Sequence, residues 1–210
     1  MARLTRAEKK AETRVRLLES AATVFARRGM QQASIDEVAE HAGFTKGAVY
    51  AHFASKEDLF LAMLDDRFAM HVEEMDQLLA SDAEPEDQAR VGAAHFIELI
   101  ASDPEWERLF FEFSAHASRN ENFRRELVAR RRQLQERMAE LFRRRAEELG
   151  VEPPFPIEEI ARMTFVMADG IALQKLLDPE SVSDELYPTM LATFFAGVRA
   201  AVEEKQLTPS

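Results

Sequence analysis

Thr45, Lys46, Gly47, Ala48, Tyr50, His52 and Lys56 place hydroxyl, ammonium, phenol and imidazole groups close together, interleaved with residues that have almost no side chain. That mixture suits a nucleic-acid backbone. Lys46, Tyr50, His52 and Lys56 offer donors to phosphate oxygens, and Thr45 can reach a phosphate or a base edge. The Ala48 methyl can meet a thymine methyl, while Gly47 and Ala51 let the main chain approach a groove floor. A blander reading makes His52 a packing residue and Lys56 a solvated cation. A second constellation, His95-x-x-Glu98 with Glu112-x-x-x-His116, has the residue types of a metal centre in a helical bundle. Its members fall opposite the apolar stripes Phe96/Ile97/Ile100 and Phe110, so they read as exposed and no metal is expected.

The elements that would hold the first group can be read locally. Ser34 with Glu37 three residues later forms a capping box ahead of the inward residues Val38 and Ala39. Gly43 supplies a left-handed helix exit, and Thr45 caps a second helix whose Val49 and Phe53, four apart, face inward. Two helices joined by a short glycine turn describe a helix-turn-helix, whose second helix enters the DNA major groove; an ordinary helical corner can share the pattern. Ser34, at the start of the first of these helices, belongs to the candidate DNA-binding set.

The flanks extend the pattern. Leu18-Glu-Ser-Ala-Ala-Thr-Val-Phe25, Gly29, Ala33-Ser-Ile35, Ala42-Gly-Phe-Thr-Lys-Gly-Ala-Val-Tyr50, His52-Phe53 and Ser55-Lys-Glu-Asp-Leu59 resemble the amino-terminal domain of the TetR (tetracycline repressor) family. The resemblance runs from Thr13 to Phe60, about the first third of the chain. It implies the same DNA-contacting roles for Lys46, Tyr50, His52 and Lys56. At position 51 the family often carries a larger residue than Ala51, which leaves operator sequence open. The resemblance further implies a homodimer that binds a palindromic operator and releases it when a small molecule enters the carboxy-terminal domain.

Charge supports a divided molecule. Over 210 residues the net charge is −11, yet residues 1–60 hold ten Lys/Arg against eight Asp/Glu, and the remainder holds 17 against 30. Six basic residues, among them Arg3, Arg6, Lys9 and Lys10, lie within the first 16. An acidic body repels DNA and leaves the basic end for phosphates. The absence of cysteine excludes disulfides, thiolate zinc sites and a cysteine nucleophile. No signal sequence and no long apolar run appear, so a soluble cytoplasmic protein is expected.

Helical periodicity dominates, with no period-two strand. The expectation is an all-α chain of about nine helices, with a DNA-binding domain over 1–54 and a ligand-binding and dimerisation domain over 55–210. The first helix is expected from about Arg6 to Arg28, ended by Gly29. The eighth (about Ile157–Leu177) and ninth (about Asp184–Lys205) are apolar on more than one face, as a helix buried from two sides must be. Phe165, Leu173, Leu176, Met190, Phe194 and Val198 are the candidate dimer residues, and a thick monomer core is the alternative. Phe96, Trp106, Phe110, Phe113, Met138, Phe142, Met163 and Met167 are candidates for an adaptable apolar pocket, and equally for filled core. Arg131 and Arg145 fall inside the apolar sector of the seventh helix, where pairing with carboxylates is expected and an anionic ligand is the alternative. No cofactor is implied. Two other classes are open to such a chain: a helical-bundle enzyme, for which no nucleophile–base pair or phosphate loop is present, and an acidic protein-interaction module.

Overall fold

The computed structural model describes residues 5–207; Arg3 of the basic arm lies outside them. The described residues form nine helices: α1 (Arg6–Gln32), α2 (Ile35–Ala42), α3 (Lys46–Tyr50), α4 (Lys56–Leu79), α5 (Pro85–Ser102), α6 (Pro104–Ala117), α7 (Glu121–Leu149), α8 (Ile157–Leu177) and α9 (Leu186–Leu207). No strand occurs among them. Most starts have a local chemical cause. Thr5 and Glu8 form a capping box on α1. Asp103 accepts the Trp106 N–H at 3.1 Å, and Asn120 accepts that of Phe123 at 3.1 Å, so one side-chain oxygen opens each of α6 and α7. Ser55 Oγ accepts the Asp58 N–H while Asp58 takes that of Ala54, which opens α4.

Two boundaries differ from expectation. Gly29, at φ 68° and ψ 171°, breaks α1 as predicted, but the chain resumes one more helical turn to Gln32. The α3 helix ends at Tyr50 rather than continuing through Phe53, because Ser55 must already cap α4. The Phe53 N–H still bonds the Val49 carbonyl at 2.9 Å, so both side chains stay inward and buried.

The chain forms two compact units. One comprises residues up to Arg67 together with Arg108–Val128; the other comprises Phe68–Glu107 and the chain from Ala129 onward. Residue 54, the expected domain limit, lies inside the first unit. In that unit α1 packs on α2 and α2 on α3. Its centre is aromatic: Phe113 of α6 stacks on Phe60 of α4 at 3.9 Å, and Phe25 and Phe123 stand near Phe113 at 5.7 and 5.8 Å. In the second unit α9 packs on α5 and α8. One apolar cluster there gathers Ala93, Ile97, Ile171, Tyr187 and Leu191, and another gathers Val72, Met75, Leu134, Met138 and Leu141.

Candidate nucleic-acid interface

The reading head is built by short-range bonds. Ser34 Oγ accepts the Glu37 N–H at 3.2 Å, and Glu37 Oε2 accepts the Ser34 N–H at 3.2 Å. Glu37 also pairs with Arg28 at 3.1 Å, which ties the end of α1 to the start of α2. Gly43 sits at φ 72° and ψ 29°, a conformation that side chains beyond Cα disfavour, and the Phe44 N–H returns to the Ala39 carbonyl at 2.9 Å. Arg16 braces this corner. It donates to the Ala42 carbonyl at 3.0 Å and lies over the Phe44 ring at 4.7 Å. The sequence reading counted Arg16 only among the basic residues facing phosphate.

Beyond the corner, Thr45 Oγ1 accepts the Ala48 N–H at 3.2 Å and keeps its own O–H to donate. Val49 is fully buried, which turns Thr45, Lys46, Gly47 and Tyr50 to solvent; Tyr50 is 50% exposed and Ala48 half-buried. Lys46 bonds Asp36 at 2.8 Å, and that bond and its charge hold the ammonium above the usual lysine range. The pair is exposed, so a phosphate can take the place of Asp36. His52 is half-buried. Burial first, then Lys10 and Arg14, push its imidazole below the usual histidine range, so near pH 7 it offers a hydrogen bond rather than a charge. Lys56 Nζ donates to the Met30 carbonyl at 2.7 Å, and this half-buried residue's ammonium keeps two further N–H donors for water or phosphate.

The remaining candidates separate. Phe110 and Phe113 are buried in the first unit. In the second unit Phe96 and Met167 pack on the Ile97/Tyr187 cluster, Met138 is inside the other cluster with Phe142 against it, Trp106 is half-buried, and Met163 is 38% exposed. Of the dimer candidates, Phe165 packs on the Leu134/Met138 cluster and Met190 and Phe194 on the Tyr187 cluster. Leu176 and Val198 are half-buried and Leu173 is 39% exposed. Sequence reading passed over Val166 and Leu177, 65% and 72% exposed, which continue the Leu173 line along α8 on either side of Gly170. Their helical spacing was the available signal.

Arg131 meets Asp169 through two nitrogens, at 2.5 and 3.3 Å, as a fork. Arg145 reaches the Ala83 carbonyl at 3.0 Å and Glu148 at 3.4 Å. His95, Glu112 and His116 are half-buried rather than exposed, because the faces opposite the phenylalanine stripes meet other helices. His95 pairs with Glu74 at 3.1 Å, His116 with Glu57 at 3.3 Å, and Glu112 accepts the Met30 N–H at 2.6 Å. Among the described residues no group of three or more His, Asp or Glu is placed to hold a metal ion.

A capped helix, a left-handed glycine corner and a second capped helix with a small-residued exposed face define a helix-turn-helix regulator. The family models agree: residues 17–63 match the bacterial regulatory proteins of the tetR family, and residues 85–200 match the carboxy-terminal domain of the BetI-type transcriptional repressor. The chain belongs to the TetR family of transcriptional regulators and is not an enzyme. It is 27% identical over 183 residues to the uncharacterized HTH-type regulator YfiR of Bacillus subtilis, covering 84% of this chain and 86% of that one. Over 101 residues it is 36% identical to the transcriptional activator FasR of Mycolicibacterium smegmatis, covering 48% and 46%. The fold is shared with the transcriptional regulator FadR of Bacillus subtilis solved in complex with stearoyl-CoA, at TM-score 0.71 and 14% identity, over 85% of this chain and 95% of that one.

Proposed function

We propose that the protein is a homodimeric repressor of the bacterial cytoplasm that binds a palindromic operator through residues 1–54 and is released when a small molecule enters residues 55–210. The observation that carries it is the exposed α3 face: Thr45, Lys46, Gly47 and Tyr50 stand outward from a helix anchored by fully buried Val49. Ser34 supports the site by starting α2, Ala48 and Thr45 supply base-edge contacts, and His52 adds a neutral donor. The BetI-type match favours repression. FadR's stearoyl-CoA and the half-buried Phe96, Phe142, Met167 and Phe194 of the second unit favour an apolar effector.

Dimerisation uses the α8 face of Val166, Gly170, Leu173 and Leu177, with α9 beside it. A Cβ added at Gly170 or Gly197 would meet nothing within 4 Å, so the surface of each helix is open to a close neighbour. The continuous α4 begins beside the reading head and ends in the second unit. An effector that prefers one tilt of α4 changes the spacing of the two recognition helices, and shifts operator affinity by its differential affinity for the two states.

Selection of bound duplexes from random DNA supplies an operator for the test. Lys46→Ala is expected to weaken it several-fold and to lower the slope of log affinity against log salt by about 0.9, the signature of one lost phosphate contact. Tyr50→Ala is expected to weaken it similarly, with sedimentation unchanged for both variants. Unaltered affinity in both would remove α3 from the interface.

A further inference from the structure

Met30 is held from two sides. Its N–H donates to Glu112 Oε2 of α6 at 2.6 Å, and its carbonyl accepts from Lys56 Nζ at the start of α4 at 2.7 Å. One turn along α6 from Glu112, His116 pairs with Glu57 at 3.3 Å, and Glu57 is the neighbour of Lys56. Met30, Glu112, His116, Glu57 and Lys56 therefore close a ring through three helices of one compact unit. The side chain of Met30 is 2% exposed.

The charges are informative. A carboxylate beside the carboxy-terminal end of a helix opposes the helix dipole, so Glu112 is not explained by stabilising α1 as a helix. It answers a backbone N–H that the left-handed Gly29 turns out of the helical ladder, and Lys56 brings the compensating cation to the next carbonyl. Gly29 also leaves the space: a Cβ there would meet Glu112 Oε2 at 3.0 Å and Oε1 at 3.1 Å. Four residues after Met30, Ser34 caps α2, which carries the glycine corner and α3. The direction in which the chain leaves Met30 thus sets where α3 points.

We infer that Glu112 is a positioning residue for operator binding: from α6 its carboxylate clamps the Met30 peptide and so aims the helix-turn-helix. The inference rests on the DNA-binding reading above and adds to it a residue outside residues 1–54 that touches no DNA.

The test uses the full-length protein and the duplex that the wild type selects. Glu112→Ala is expected to bind it about tenfold more weakly (about 1.4 kcal/mol). The salt slope should be unchanged, since no phosphate contact is lost. Glu112→Gln keeps an oxygen for the Met30 N–H and should restore most of the affinity, and amide exchange at Met30 should be faster in the alanine variant only. Circular dichroism and sedimentation should match the wild type in both. Wild-type affinity in Glu112→Ala, or a glutamine variant no better than alanine, overturns the clamp. If Glu112→Ala does not fold, Glu112→Asp carries the same expectation, because its shorter carboxylate withdraws from Met30 while keeping the charge. A wild type that selects no duplex at all fails the DNA-binding reading instead, and this role with it.

Discussion

Val166→Glu combined with Leu173→Glu is expected to give a folded monomer whose operator affinity is at least about 100-fold below wild type. Both residues are exposed within the single chain, at 65% and 39%, so neither substitution replaces a buried residue and the helical content should persist. In a dimer through this face both would be covered. Each apolar side chain buried there contributes about 1.5–3 kcal/mol, and a carboxylate in its place adds a desolvation penalty of several kcal/mol per copy. Two such positions in each of two subunits outweigh the surplus that holds an ordinary interface together. The DNA consequence follows from linkage. Joining two half-site readers makes the second contact intramolecular, worth about 10²–10⁴ in affinity, and a monomer forfeits it. Sedimentation equilibrium and operator titration on the same preparation check the two statements together. A doubly substituted protein that remains dimeric would move the interface off this face of α8. One that becomes monomeric with undiminished affinity would show that pairing of recognition helices contributes nothing.

The parts of the head that could be read from sequence are those whose partners lie within four residues. Ser34 with Glu37, Gly43 after Ala42, and Thr45 with Ala48 each satisfy backbone groups next to themselves, so residue type and spacing carry the information. Long-range partners left no such trace. Arg16, in the basic first 16 residues, and Lys56, beside the start of α4, look like phosphate ligands, yet each bonds a carbonyl 26 residues away. Glu112 and Met30 are 82 residues apart. His52 reads as a phosphate donor or a packing residue, and the shift of its imidazole shows only once burial and two neighbouring cations are taken into account. On α8 and α9 the limit was different in kind. Helices apolar all round state that they are buried, without saying which side faces their own chain, so Phe165, Met190 and Phe194 could be told from Val166 and Leu177 only once the clusters were formed.

Phe113→Ala is expected to destabilise the first unit by about 3–5 kcal/mol, and it decides between the two roles that sequence left open for this residue. The ring is 0% exposed and stacks on Phe60 with an interplanar angle of 4°. Phe25 meets it at 74° and Phe123 at 59°, so rings from α1, α4 and α7 converge on one side chain of α6. Truncation leaves a hole that three flat neighbours cannot fill by rotating, because each is itself held in the same cluster. Aromatic pairing adds about 0.5–1.5 kcal/mol per pair to the lost burial. Against a typical total of about 5–15 kcal/mol, the loss is a large fraction of what keeps α1, α4 and α6 in register. Urea unfolding should show a lower midpoint with a nearly unchanged slope, and Phe113→Leu should recover more than half of the difference. Operator binding should fall only where the variant begins to unfold, unlike that of the Lys46 variant. A residue lining an unfilled pocket would behave in the opposite way, with little change in stability and an altered response to effector. An unchanged urea midpoint for Phe113→Ala would therefore place the ring on a pocket wall.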